Sequence, residues 1–385
     1  MVKLKRLTFV LVALLTLTML VACGNRDNHD YDYDDYGYIY GHDGYLEDYG
    51  VGYEEYTGTR EPLHLAYYTP HGYLSVRHIE FMNDHLYGRT PFSYREKETA
   101  LWIVEELLAM GFDPSDIEVQ EFSHNDVSQW TRWSLGDTIG SWARATVGNN
   151  SRNYSQNVIL TIPGQSEQKI IVGAHYDTLP YPGASDNASG TALLLESAQR
   201  MLHLDNYYTI VYVFFGAEEI GLLGAYFYYD NLTRQQRDNI VMMINADVLF
   251  EGEFFFYGAG YAGDQGPGTN HVSQQVNAIA QQVRDTHGIE IATLPQGIFL
   301  PSDQLVFLWE GHTVVQFSGL YKQPSNDFTG WAILDHGDYA LTARVLHSDE
   351  DCIHIINYRW PGKIDTAMRT FSVFLEELLL ARYTN

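Results

Sequence analysis

Several short runs in this chain are apolar almost without a break. The most complete are 169–174, Tyr208–Phe215 and Ile240–Ala246. A strand apolar at every position, rather than at alternate ones, must be covered on both faces. Shorter runs of the same type lie at 157–162, 253–257 and 313–317. Between them the apolar spacing becomes helical. In 73–87, Leu74, Ile79, Met82 and Leu86 recur at near-helical intervals; in 96–110, Leu101, Val104, Leu107 and Leu108 form one stripe, with Gly111 as the stop. Stretches 190–204, 221–231, 271–286 and 364–381 read as further helices. This alternation predicts an α/β protein, a three-layer α/β/α sandwich with helices on both faces of a mixed, mostly buried central sheet.

One glycine-rich stretch competes with that reading. Gly258-Ala259-Gly260-Tyr261-Ala262-Gly263 fits a dinucleotide-binding pattern, but that fingerprint needs a helix opening at the glycines. Here residues 264–268 continue as Asp-Gln-Gly-Pro-Gly, so the stretch reads as a flexible loop at a cleft rim. No G-x-S-x-G elbow and no H-E-x-x-H helix is present.

Charge and cysteine content remove other classes. With 49 acidic against 23 basic residues the formal charge is −26, which repels phosphates and argues against nucleic acid as a partner. Two cysteines cannot build a disulfide framework or a Cys-rich zinc site, so any bound metal must sit on His and carboxylate ligands. At the N-terminus, basic Lys3, Lys5 and Arg6 precede a short apolar stretch, 7–21, too short to span a bilayer comfortably. It ends in Leu20-Val21-Ala22-Cys23, which resembles a bacterial lipobox. Residues 1–22 are therefore expected to be a lipoprotein signal peptide, and Cys23 the lipidated first residue of the mature chain. Residues 24–60 interleave Asp, Tyr and Gly, carry ten acidic and two basic side chains, and have almost nothing aliphatic to bury. Residues 23–60 read as a disordered tether and 61–385 as a single folded domain. Cys352 reads as a buried apolar residue, Cys23 being taken by the lipid.

The residues that carry chemistry gather where strands end. His175 and Asp177 follow the 169–174 run. Asp186 lies in Gly183-Ala184-Ser185-Asp186-Asn187-Ala188-Ser189-Gly190, just ahead of a helix. Glu218-Glu219 follow Tyr208–Phe215, and Asp247 follows Ile240–Ala246. The carboxyl ends of sheet strands are where α/β proteins place ligand sites. Ionised groups beside an apolar sheet are costly unless a cation or a partner holds them.

In these motifs (GAHYDT, GASDNASG, FFGAEEIGLLGA and Asn245-Ala246-Asp247) the chain resembles the co-catalytic di-zinc exopeptidases, the family of secreted bacterial leucyl aminopeptidases and aminopeptidase Y. The resemblance runs from about Tyr73 to the C-terminus, with weaker matches at Pro301-Ser302-Asp303-Gln304 and Leu346-His347-Ser348-Asp349. It implies two zinc ions: His175 and Asp247 on one, Glu219 and His347 on the other, and Asp186 bridging them. Two ions lower the pKa of a shared water and stabilise the developing oxyanion. Glu218 would be the general base and Asp177 the carboxylate that orients the His175 imidazole. His312, His336 and His354 are rivals for the place of His347, each expected to be an ordinary surface or core histidine. Some family members carry an oxyanion-stabilising tyrosine where this chain has Phe299.

The expected activity is zinc-dependent removal of N-terminal residues from extracellular peptides, at a bacterial cell surface, by an enzyme lipid-anchored to the outer face of the cytoplasmic membrane. Carboxypeptidases and glutaminyl cyclases share the scaffold and are the alternatives, with a non-catalytic binding lipoprotein behind them. Cyclases of this group use one zinc, so a complete five-ligand set favours hydrolysis.

Overall fold

The computed structural model describes residues 69–123, 126, 154–263, 266–268, 270–294, 299–325, 331–335 and 338–383. The signal peptide, the tether, Cys23 and His336 lie outside the described residues. The strands are β1 (Ile117–Ser123), β2 (Tyr154–Ile162), β3 (Ser166–His175), β4 (Tyr208–Phe215), β5 (Ile240–Ala246), β6 (Phe254–Gly263), β7 (Gly266–Gly268), β8 (Ala292–Thr293), β9 (Thr313–Pro324), β10 (Trp331–Asp335) and β11 (Tyr339–Ala343). They form one mixed sheet with the main order β1-β2-β4-β3-β5-β9-β11-β10, and β6 adds to β9. Strands β4, β3, β5 and β9 run parallel at its centre, while β1, β2, β6, β10 and β11 pair antiparallel around them.

Alternation along the central strands explains why they are apolar throughout. Ile170, Val172, Ile210, Tyr212, Phe214, Met242 and Ile244 enter one core, while Ile171, Val211, Val213, Phe215 and Met243 enter another. The first is roofed by helices α1 (Tyr73–His85), α2 (Tyr94–Ala109), α3 (Ser189–Met201), α6 (His271–His287) and α9 (Lys363–Leu380). The second is covered by α4 (Leu223–Asn231) and α7 (Gln304–Trp309), through Ala225, Tyr228, Val306 and Phe307. Helices therefore flank both faces, as the sequence predicts. Short α5 (Arg234–Asp238) and α8 (Ile353–Arg359) complete the elements.

One expectation needs correcting. Gly258–Gly263 is not a loop: it is the second half of β6, with Gly258 opposite Gln316 and Gly260 opposite Val314 of β9. Backbone pairing there does not depend on a side chain, so the glycines do not interrupt it. Cys352 is buried, as expected.

Candidate metal centre

The parallel strands deliver the candidate residues to one edge. His175 is the last residue of β3. Glu218 and Glu219 follow β4 through Gly216-Ala217, and Asp247 follows β5 directly. Asp186 lies in the turn Ala184–Ala188 that leads into α3. The turn is opened by Gly183 at φ 60°, where a Cβ would lie 2.5 Å from the Asp186 carbonyl, so the bend needs glycine. His347 arrives from the segment beyond β11.

These segments converge. His175 Nε2 is 3.2 Å from both Asp186 Oδ1 and Asp247 Oδ1. His347 Nε2 is 3.0 Å from Asp186 Oδ2 and 3.4 Å from Glu219 Oε2. His175, Asp186 and Asp247 each offer one donor atom to a group within 4.8 Å, and Asp186, Glu219 and His347 make a second such group. Asp186 belongs to both. Imidazole and carboxylate sets of this kind suit zinc.

The electrostatics fit a site built for cations. Burial works against charge on His175, yet Glu218 and Asp247 lift its pKa well above the usual range. His347 is likewise raised to about 11 against its burial, by Asp186 and Glu219. Burial raises Glu219 to about 7, with Asp186 adding to the shift. Glu218 is pushed well up by burial and by Asp303, Glu219 and Asp247. Asp186 alone is driven the other way, well below the carboxylate range against its burial, by His175 and His347. Imidazoles hold protons and carboxylates resist losing them because the cluster carries an excess of buried negative charge. Divalent ions would neutralise that excess. Asp303 makes the same point. It is fully buried, neither carboxylate oxygen has a hydrogen-bond partner among the described residues, and burial together with Asp177 and Asp247 pushes its pKa well up.

Asp177 differs in detail from expectation. His175 Nδ1 lies 3.1 Å from the Asp177 backbone carbonyl, while the carboxylate is 3.6 Å away, beyond a good hydrogen bond. That carboxylate instead accepts the backbone N–H groups of Glu218 (3.0 Å) and Glu219 (3.2 Å). Asp177 thus fixes the segment that carries both glutamates.

Of the rivals to His347, His312 meets the Tyr229 hydroxyl at 2.9 Å and His354 meets Asp84 at 3.1 Å. Neither belongs to a donor group. Phe299 is partly buried against the core under α7, and offers no hydroxyl.

Several supporting residues escaped the sequence reading. Arg89, fully buried, donates to the carbonyls of Leu86, Tyr176, Pro182 and Gly183 and so holds both ends of the loop between His175 and Asp186. Glu96 accepts from Ala217 N (3.0 Å) and Ser155 Oγ (2.7 Å), bracing the approach to Glu218. Asn245 donates to Ser302 Oγ and Gln304 Oε1, each at 2.9 Å, which seats Asp303 near the strand ends. Only the matches at Asn245-Ala246-Asp247 and at residues 301–304 hinted at any of these.

A family sequence profile, peptidase family M28, matches residues 157–372, which include every strand and turn that carries the cluster. The chain belongs to peptidase family M28. Family M28 relatives include aminopeptidase YwaD of Bacillus subtilis (strain 168), 40% identical over 81 residues, which are 21% of this chain and 18% of the relative. Another is the "Probable lipoprotein aminopeptidase LpqL" of Mycobacterium tuberculosis, 35% identical over 122 residues, 31% of this chain and 23% of the relative. These alignments thus span about a fifth of the relatives' own lengths. Among solved structures, BSAP, a zinc aminopeptidase from Bacillus subtilis, superposes with TM-score 0.59 at 18% identity, covering 85% of this chain and 98% of that one. An Acidobacteriales bacterium glutaminyl cyclase gives TM-score 0.55 at 16% identity, again covering 85% and 98%. At such identities these two likenesses concern the M28 fold, not the reaction.

Proposed function

We propose that this family M28 chain is a zinc-dependent aminopeptidase that removes N-terminal residues from peptides. The observation that carries the proposal is the pair of donor groups joined through Asp186, one oxygen toward each histidine. His175, Asp186 and Asp247 would hold one zinc, and Asp186, Glu219 and His347 the other. When bound, such ions supply Lewis acidity to a water and to the scissile carbonyl.

The rest of the work falls to the chain. Glu218, adjacent in sequence to Glu219, takes a proton from the attacking water and returns it to the leaving amine. Burial and the nearby carboxylates of Asp303, Glu219 and Asp247 raise its affinity for that proton. Asp177 holds the Glu218 and Glu219 amides, so that base and ligand keep a fixed separation. With Phe299 in place of a tyrosine, no phenol at that position assists the oxyanion.

The similarity to the aminopeptidases YwaD, LpqL and BSAP supports the aminopeptidase reading, and the naming of LpqL as a probable lipoprotein supports a lipid anchor at Cys23. With the anchor the enzyme would act on extracellular peptides, tethered to the outer face of the membrane by residues 23–60. No helix among the described residues is long and apolar enough to cross a membrane. The test is a substrate panel of aminoacyl, carboxy-terminal and N-terminal glutaminyl peptides, run with zinc content measured on the same sample. Release of N-terminal residues with two zinc ions bound is the expected result. Turnover of only the glutaminyl or carboxy-terminal substrates would replace the reading, and inertness with zinc bound would leave a binding lipoprotein.

A further inference from the structure

Asp186 and His347 come from segments far apart in the chain, and one buried residue touches both of those segments. Asp351 is 1% exposed. Its Oδ1 accepts the backbone N–H of Ser185 at 2.7 Å and its Oδ2 that of Asp186 at 3.0 Å. Its carbonyl accepts the N–H of Ala184 at 3.0 Å. Three successive amides of the turn that bears Asp186 therefore end on a single residue.

Asp351 belongs to the loop that presents His347. That loop is itself tightly closed: Asp351 N donates to Ser348 O at 3.1 Å, and Ser348 Oγ to Val345 O at 2.5 Å. On its other flank, Glu251 accepts the N–H groups of Arg344 and Val345, the latter at 2.8 Å. His347 sits at φ 54°, a left-handed conformation that a histidine seldom adopts unless its surroundings impose it.

We propose that Asp351 is a positioning residue that locks the Asp186 turn to the His347 loop, so that the two candidate ligands stand at 3.0 Å before any ion arrives. No basic side chain among the described residues forms an ion pair with it. A buried acidic side chain without an ion-pair partner is a costly way to fill space. What it contributes is direction: two oxygens converging on consecutive N–H groups fix the orientation of the turn, which an apolar side chain would not. Ligands ordered during folding need not be ordered again when the ion binds, and the saving appears as affinity.

This inference rests on the metal-site reading proposed above, and the experiment separates the two. Zinc affinity of the full chain is measured by competition with a chromogenic chelator, for wild type and for Asp351→Asn. Amide exchange of both metal-free proteins is followed by mass spectrometry. The asparagine keeps the volume but turns an N–H against one of the two amides. The expected outcome is a zinc affinity lower by roughly 10- to 100-fold. In the metal-free variant, exchange should be faster in the 184–188 segment and unchanged at 217–219. A folded Asp351→Asn protein with wild-type zinc affinity and wild-type protection of 184–188 overturns the inference. Wild-type protein that takes up no zinc overturns the metal reading instead, and the exchange data still decide whether the lock exists. If Asp351→Asn does not fold, Asp351→Glu keeps both acceptors on a longer arm, and unchanged affinity there overturns the inference equally.

Discussion

Asp186 Oδ2 stands 3.0 Å from His347 Nε2, and the other oxygen of the same carboxylate is 3.2 Å from His175 Nε2. One side chain thus serves two donor groups. Asp186→Asn should weaken both rather than one. Zinc per chain, measured by elemental analysis after dialysis, should fall below one, and hydrolysis of a leucyl substrate should drop by more than about 100-fold. Retention of two ions by a folded variant would remove Asp186 from the bridging place.

Glu218 is separable from the ligands. Glu218→Gln keeps the shape and removes the base, so kcat should fall by about 10²- to 10⁴-fold with zinc content and KM little changed. A variant with normal turnover would show that another group moves the proton.

Zinc should also stabilise the fold. Without cations Glu218, Glu219 and Asp303 are pushed up together, the mark of crowded negative charge. Chelation is expected to abolish activity and lower Tm, and zinc to restore both. A ligand at a hundred times its Kd adds about 2.7 kcal/mol to stability. A Tm indifferent to chelator and zinc would count against resident metal.

Away from the site, burial lowers the pKa of His78 from 6.5 to about 4, although Glu196 of α3 pulls the other way and Glu106 of α2 lies 3.9 Å off. The unfolded chain takes up this proton first. His78 therefore adds stability that is full above pH 6.5 and is lost as pH falls through that value toward 4, by up to about 3 kcal/mol. Urea midpoints for wild type and His78→Gln across pH 7.5 to 4.5 test it: the variant should lose less on acidification. Parallel curves would refute the assignment.

The sequence carried the central strands well because β3, β4 and β5 are buried on both faces and so carry no polar punctuation. It carried most of the cluster too, since His175, Glu218, Glu219 and Asp247 sit where such runs stop, while Asp186 and His347 were found through the family-like motifs around them. Edge strand β1 (IEVQEFS) was invisible: only Phe122 of it is buried, and it pairs only with β2 among the described residues. The β10–β11 hairpin was also missed, and β6 was cut short at its glycines. Arg89, Glu96, Asn245 and Asp351 escaped for a common reason. Each acts on backbone or side-chain atoms of segments far away in the chain, and such contacts leave no local periodicity. The choice of His347 over His312 rested on its Ser-Asp context, and the geometry now gives His312 a different partner in Tyr229.

The order of the donors along the chain has a consequence for synthesis. His175, Asp186, Glu219 and Asp247 all belong to segments that emerge before β9, and His347 comes only after β9 and β11 have been made. A partly made chain could hold at most the first group, and the closure that brings in His347 necessarily comes last. The second donor group can be completed only once nearly all of the polypeptide is available, so it is the last part of the candidate centre to close.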